Sequence, residues 1–104
     1  MSRAQSDLKE KVESRTEEIL QEPIQYKILM HNDDYTTMDF VVQVLENIFN
    51  KPPSEAIQIM LNIHKQGIGV CGIYTAEIAE TKVVAVHSMA KQNGFPLKCS
   101  MEEV

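Results

Sequence analysis

From residue 24 onward, apolar and polar positions fall into six runs. IQYKILM (24–30) is short and rich in strand formers, and predicts a strand. Phe40, Val41, Val44, Leu45, Ile48 and Phe49 then recur with the roughly 3.6-residue period of one helix face. Thr36 and Asp39 precede that face at the spacing of a capping box, with aspartate as the shorter acid. NKPPSEA (50–56) breaks this helix and starts another, since proline is tolerated in a first turn. Ile57, Met60, Leu61 and His64 follow at i, i+3, i+4 and i+7, and Gly67 is placed to stop the helix in a left-handed cap. IGVCGIY (68–74) predicts a second strand. Thr75 is placed to cap a third helix over 76–93, with Glu77 and Glu80 in its early turns and Lys91 near its end, as the helix dipole favours. Gly94 closes it and Pro96 prevents continuation. LKCSMEE (97–103) alternates Leu97, Cys99 and Met101 with polar neighbours, the pattern of a strand with one buried face. The predicted order is β-α-α-β-α-β, an α+β domain.

Residues 1–22 break with this pattern. They hold ten charges of both signs, and Leu8, Val12, Ile19 and Leu20 are too sparse for a strong helical face. The expectation is a mobile tail over 1–22 and one folded domain over 23–104. A chain of 104 residues suffices for one such domain with a modest core.

Composition then removes function classes. The formal charge is -5 and the lysines and arginines are scattered, so no nucleic-acid partner is expected. No apolar run approaches the roughly 20 residues of a membrane span, and no secretory or transit signal opens the chain. Cys71 and Cys99 stand far apart in apolar runs, which predicts buried thiols rather than a disulfide framework. The expectation from these features is a cytoplasmic protein.

One stretch has more polarity than a bend requires. His31, Asn32, Asp33 and Asp34 crowd between two apolar runs. Asn-Asp is good turn chemistry, so a solvated turn is the plain reading. Three chemical readings compete with it. His31, Asp33 and Asp34, with the distant His64, are possible metal ligands, although their spacing matches no standard motif. Acid/base catalysis lacks an evident nucleophile, and Gly67, Gly69 and Gly72 have no phosphate-loop spacing. Capture of an ammonium group fits the donor inventory, because asparagine, aspartate and neutral histidine all offer acceptors to three N–H donors. His64 and the methionines Met38, Met60 and Met89 also have ordinary explanations in packing. Met38 is the odd one, at a helix start where core filler is least needed.

Three blocks carry a resemblance: NDDYTTMDFV (32–41), AIQIMLNIHKQGIGVCGIYTAEIAETKV (56–83) and FPLKC (95–99). In this order and spacing the chain resembles the ClpS family of adaptors, which deliver substrates with destabilising N-terminal residues to a AAA+ protease. The resemblance implies a three-stranded antiparallel sheet with three helices. It implies no catalytic residue, no metal and no cofactor. Asn32, Asp33 and His64, with Asp34 at the rim, would bind the substrate's α-ammonium. Met30, Thr36, Met38, Val41, Met60, Ile63 and Leu97 would line an apolar pocket for Leu, Phe, Tyr or Trp, Met38 acting as a gate against β-branched side chains. Glu77, Thr81 and Lys82 would dock on the N-terminal domain of a Clp-type unfoldase in a bacterial cytoplasm, and the tail would take part in handover. Two positions depart from the family pattern. Thr37 stands where proline is common, which would loosen the turn holding Met38. His31 replaces a frequent aliphatic residue, which would alter the pocket's back wall and make affinity pH-sensitive. The competing readings are a small metal-dependent hydrolase using His31, Asp33 and His64, and a subunit-interaction domain without a pocket.

Overall fold

Six elements follow one another over residues 23–104, the part of the chain that the computed structural model describes. They are β1 (Gln25–His31), α1 (Met38–Asn47), α2 (Pro53–Gln66), β2 (Ile68–Thr75), α3 (Ala76–Gln92) and β3 (Lys98–Glu103). The order is the predicted β-α-α-β-α-β, and the class is α+β. The tail expected over 1–22 lies outside the described residues.

β1 is the central strand of the sheet β2-β1-β3 and runs antiparallel to both neighbours. Strand alternation sends Ile28 and Met30 to one face, where both are fully buried. A bulge interrupts the β1–β2 register. Leu29 pairs with Val70 while Ile28 pairs with Gly72, so Cys71 is the extra residue, and it too is buried. The helices cover this face with Val44, Leu45, Ala56, Ile63, Ala79, Val86 and Ala90. Each large side chain buried there contributes roughly 1.5–3 kcal/mol. The other face carries the Lys27–Glu102 ion pair and exposed Val70 and Ile73. Both thiols are buried and free, as expected. Burial pushes Cys99 up to about 12 and raises Cys71 as well.

Three local expectations need correction. Thr37, not Thr36, caps α1: its Oγ1 accepts the Phe40 N–H at 3.2 Å. The adjacent threonines are chemically equal, and Asp33 decides between them by engaging Thr36. Thr37 therefore ties down the helix start that carries Met38 rather than loosening it. Thr75 does stand at the start of α3, but its side chain makes no capping bond. Finally, α2 turns its core side one residue earlier than predicted. Ala56 and Ile63 are buried and Ile59 and Met60 partly so, while Ile57 and His64 are exposed. Positions 56, 59, 60 and 63 have the same spacing as 57, 60, 61 and 64, and a one-residue shift rotates the face by about 100°. His64 thereby leaves the core.

The end of α2 positions the site. Gly67 adopts φ 82°, left-handed, and donates its N–H to Ile63 O at 2.9 Å. Its own carbonyl accepts the Asn32 N–H at 2.9 Å. One glycine thus joins the exit of β1 to the exit of α2 and brings Asn32 and His64, distant in sequence, to the same end of the sheet.

Candidate functional site

At that end lies a cleft of about 240 Å³ lined by Asn32, Asp33, Asp34, Thr36, Met38, Val41, Met60, Ile63 and His64. Its volume is below the roughly 300–1,000 Å³ of sites for drug-sized ligands, and suits a single side chain. The apolar wall comes from two helices, Met38 and Val41 on α1 and Met60 and Ile63 on α2. The polar members come from the loop after β1 and from the last turn of α2.

The polar side chains divide into two that engage each other, Asp33 and Thr36, and three that are not engaged. The Asp33 carboxylate accepts the Tyr35 N–H at 2.8 Å and the Thr36 N–H at 2.7 Å on Oδ1, and the Thr36 hydroxyl at 2.7 Å on Oδ2. Burial opposes its ionisation, but these bonds outweigh burial and hold the carboxyl below the ordinary carboxylate range. Three of roughly four acceptor positions are spent inside the loop. The side chains of Asn32, Asp34 and His64 make no hydrogen bond among the described residues, and Asn32, Asp34 and His64 are all exposed. The cleft therefore presents three free polar groups beside a preorganised turn. Asparagine and carboxylate oxygens and a neutral imidazole nitrogen are acceptors, which together match a donor-only cation.

The remaining sequence-predicted residues lie elsewhere. Met30 is fully buried in the core and Leu97 is buried beside a different groove, so neither lines this cleft. His31 is also absent from the lining. Its side chain lies beside β3, where Nε2 and Ser100 Oγ are 2.7 Å apart. His31 therefore stands beside β3 rather than against this cleft. Among the described residues, no group of three or more His, Cys, Asp or Glu side chains is placed to hold a metal ion. The same bond draws His31 away from the set proposed for a hydrolase. Glu77 and Thr81 are exposed on the early turns of α3, and Thr81 Oγ1 donates to Glu77 O. Lys82 is half-buried: its Nζ donates to Ile48 O at 2.7 Å and sits 5.0 Å from the Tyr74 ring centre.

Sequence reasoning missed the second groove, about 420 Å³ between α3 and the start of β3, with Phe95, Pro96 and Leu97 along it. Beside it His87 Nε2 accepts the Cys99 N–H at 3.0 Å. No periodicity marks such a pairing between a helix histidine and an edge strand. Among the described residues no helix is long and apolar enough to cross a membrane.

Comparison with known proteins adds three findings. The family model described as ATP-dependent Clp protease adaptor protein ClpS matches residues 21–100. The ATP-dependent Clp protease adapter protein ClpS of Oleidesulfovibrio alaskensis is 56% identical over 104 residues, covering 100% of both chains. That of Desulfatibacillum aliphaticivorans is 65% identical over 80 residues, 77% of each chain. Among solved structures, Agrobacterium tumefaciens ClpS2 bound to L-phenylalaninamide superposes with a TM-score of 0.77 at 34% identity, covering 80% of this chain and 100% of that one.

Proposed function

This chain belongs to the ClpS family of ATP-dependent Clp protease adaptor proteins, and we propose that it binds the first residue of substrates that begin with Leu, Phe, Tyr or Trp and delivers them to a Clp-type unfoldase. The observation that supports this most directly is the juxtaposition in the cleft. Three unengaged acceptor side chains stand at the rim of an apolar hole sized for one side chain. A free N-terminus has the matching form, one cation beside one side chain. The relative bound to L-phenylalaninamide carries both features in its ligand.

In this reading Asn32, Asp34 and His64 accept from the α-ammonium. Asp33 supplies negative charge from behind and holds the turn. Met38, Val41, Met60 and Ile63 enclose the side chain. Burying one aromatic or leucine side chain contributes roughly 1.5–3 kcal/mol, and each charge-assisted bond roughly as much, offset by the cost of association. A Kd on the order of micromolar, about -8 kcal/mol, follows. An internal residue has an amide and a preceding chain in place of the ammonium, so it is rejected. The protein transfers no group and catalyses nothing. The exposed Glu77 and Thr81 on α3 are the surface offered to the unfoldase's N-terminal domain, in the bacterial cytoplasm.

Titration of fluorescent peptides that differ only at residue one tests this. Peptides starting with Phe or Leu bind, and their N-acetylated forms do not. Equal affinity for an acetylated peptide would overturn ammonium capture. Failure of the chain to stimulate turnover of such substrates by a Clp protease would overturn delivery.

A further inference from the structure

We infer that Thr36 is a positioning residue of the cleft, whose hydroxyl clasps Asp33 and so fixes the turn that presents Asp34, rather than a wall that packs against the substrate side chain. The inference rests on the binding role proposed above and goes beyond it, because it assigns Thr36 an action through another residue.

The loop from Asn32 to Thr37 is anchored at both ends. Asn32 N–H is held by Gly67 O, and Thr37 caps α1. Between these anchors one clasp closes the turn. Thr36 donates twice to Asp33, from its N–H to Oδ1 and from its Oγ1 to Oδ2, both at 2.7 Å. Two bonds to two oxygens from one residue fix the plane of the carboxylate, which a single bond would leave free to rotate. Tyr35 N–H adds a third bond to Oδ1. Asp34 and Tyr35 form the exposed tip of the turn so closed. The half-buried Thr36 also lines the cleft. Its position alone therefore suits either a wall residue, through the methyl group, or a positioning residue, through the hydroxyl.

Two substitutions separate these roles, because each keeps one half of the side chain. Thr36→Val keeps the methyl bulk and removes the donor. Thr36→Ser keeps the donor and removes the methyl. Each is titrated with a Phe-starting peptide from pH 8 down to about pH 3, through the acid range in which Asp33 gains its proton, beside the unchanged chain and an N-acetylated control. We expect Thr36→Ser to bind within about threefold of the unchanged chain and Thr36→Val to lose roughly tenfold, the loss expected for a charge-assisted bond. Losing one of three bonds to the ionised form also raises the Asp33 pKa. The acid limb of the Thr36→Val binding profile therefore moves to higher pH, and the Ser variant restores it. Asp34 and His64, the other titratable groups lining the cleft, are the same in every variant, so the difference between profiles reports Asp33.

The reverse order, with Val binding as tightly as the unchanged chain and Ser weakened, overturns the inference, and so does an unmoved acid limb. If Thr36→Val fails to fold, as a thermal melt would show, Thr36→Ser still decides, since a wall residue loses affinity there and a positioning residue does not. Binding of the free-amine peptide to the unchanged chain is read first. Its absence removes the proposed function and this inference together, whereas its presence with the reversed order removes only the inference.

Discussion

Gly69 of β2 lies so close beneath Ile63 of α2 that a Cβ on the glycine would stand 2.6 Å from Ile63 Cγ1. Gly69 pairs with Met30 in the sheet, and Ile63 lines the cleft, so the absence of a side chain at 69 lets the floor of the site sit against the strand. Cγ1 is near the backbone and cannot swing aside as a flexible chain end would. Gly69→Ala therefore either lifts α2 or drives Ile63 into the cleft. Overpacking of this kind costs about 1–3 kcal/mol. The expected result is a lower denaturation midpoint together with a loss of affinity for Phe-starting peptides larger than that for Leu-starting ones, measured by titration.

Asp33 and Asp34 are adjacent carboxylates that should respond differently to removal. Asp33→Ala strips three acceptor bonds from the turn, and we expect a stability loss of roughly 1–3 kcal/mol, comparable to losing a good cap or a charge-assisted bond. Asp34→Ala breaks no hydrogen bond among the described residues and should leave stability within about 0.5 kcal/mol while weakening peptide binding. Urea unfolding and peptide titration on the same samples separate the two.

The sign of the pH effect at Asp33 follows from its lowered pKa. Its folded value lies below its unfolded one, so its contribution is fully present above the ordinary carboxylate pKa, about 3.9, and is lost as pH falls through the lowered folded value. The stability margin of the unchanged chain over Asp33→Asn should be flat from pH 8 to 5 and shrink below about pH 4. Denaturant unfolding at fixed pH steps measures it. A margin that grew on acidification would contradict the assigned bonds.

The strand and helix order was legible because β-formers, breakers and end charges mark every element, and in α1 the periodic face Phe40, Val41, Val44, Leu45 is the one buried. The capping threonine was not legible, since choosing Thr37 over Thr36 needs the side-chain bonds of Asp33, which spacing to Asp39 does not encode. The rotation of α2 was ambiguous for a related reason: Ala56 is small and weakly apolar, so the stripe starting at Ile57 looks stronger than the one that packs. In the cleft, residue types were readable and engagement was not. The string NDD gives three equivalent-looking acceptors, and only the fold ties up the middle one. Leu97 and Met30 were drawn in by resemblance, and the structure puts one beside another groove and the other in the core.

Lys82 tests how far a docking role can be separated from a structural one. Its ammonium caps the carbonyl of Ile48 just beyond α1, and its position over Tyr74 and Phe49 adds cation–π attraction. Lys82→Met should cost about 1–2 kcal/mol of stability, so any loss of unfoldase binding in that variant mixes two causes. Glu77→Ala touches only an exposed side chain and should change stability by less than about 0.5 kcal/mol. Binding of each variant to a purified unfoldase N-terminal domain, beside its melting temperature, shows whether this face docks. Unchanged binding by Glu77→Ala would remove Glu77 from the docking surface.

His31 is the member of the polar cluster that faces away from the cleft, and its substitution should show it. The ring makes one bond, to Ser100, across the β1–β3 pair in which His31 opposes Lys98. His31→Leu loses that bond, a cost of about 0.5–1.5 kcal/mol, and leaves Ser100 able to turn to water. Because the imidazole lines no part of the cleft, peptide affinity should stay within about twofold of the unchanged chain from pH 5.5 to 8. His64 is the opposite case. Its side chain lines the cleft and offers an acceptor there. In His64→Ala affinity for a Phe-starting peptide should drop roughly tenfold, the loss of one charge-assisted bond, whereas in His31→Leu it should not. Titrating both variants with the same peptide separates the two histidines, and a loss in His31→Leu as large as that in His64→Ala would return His31 to the site.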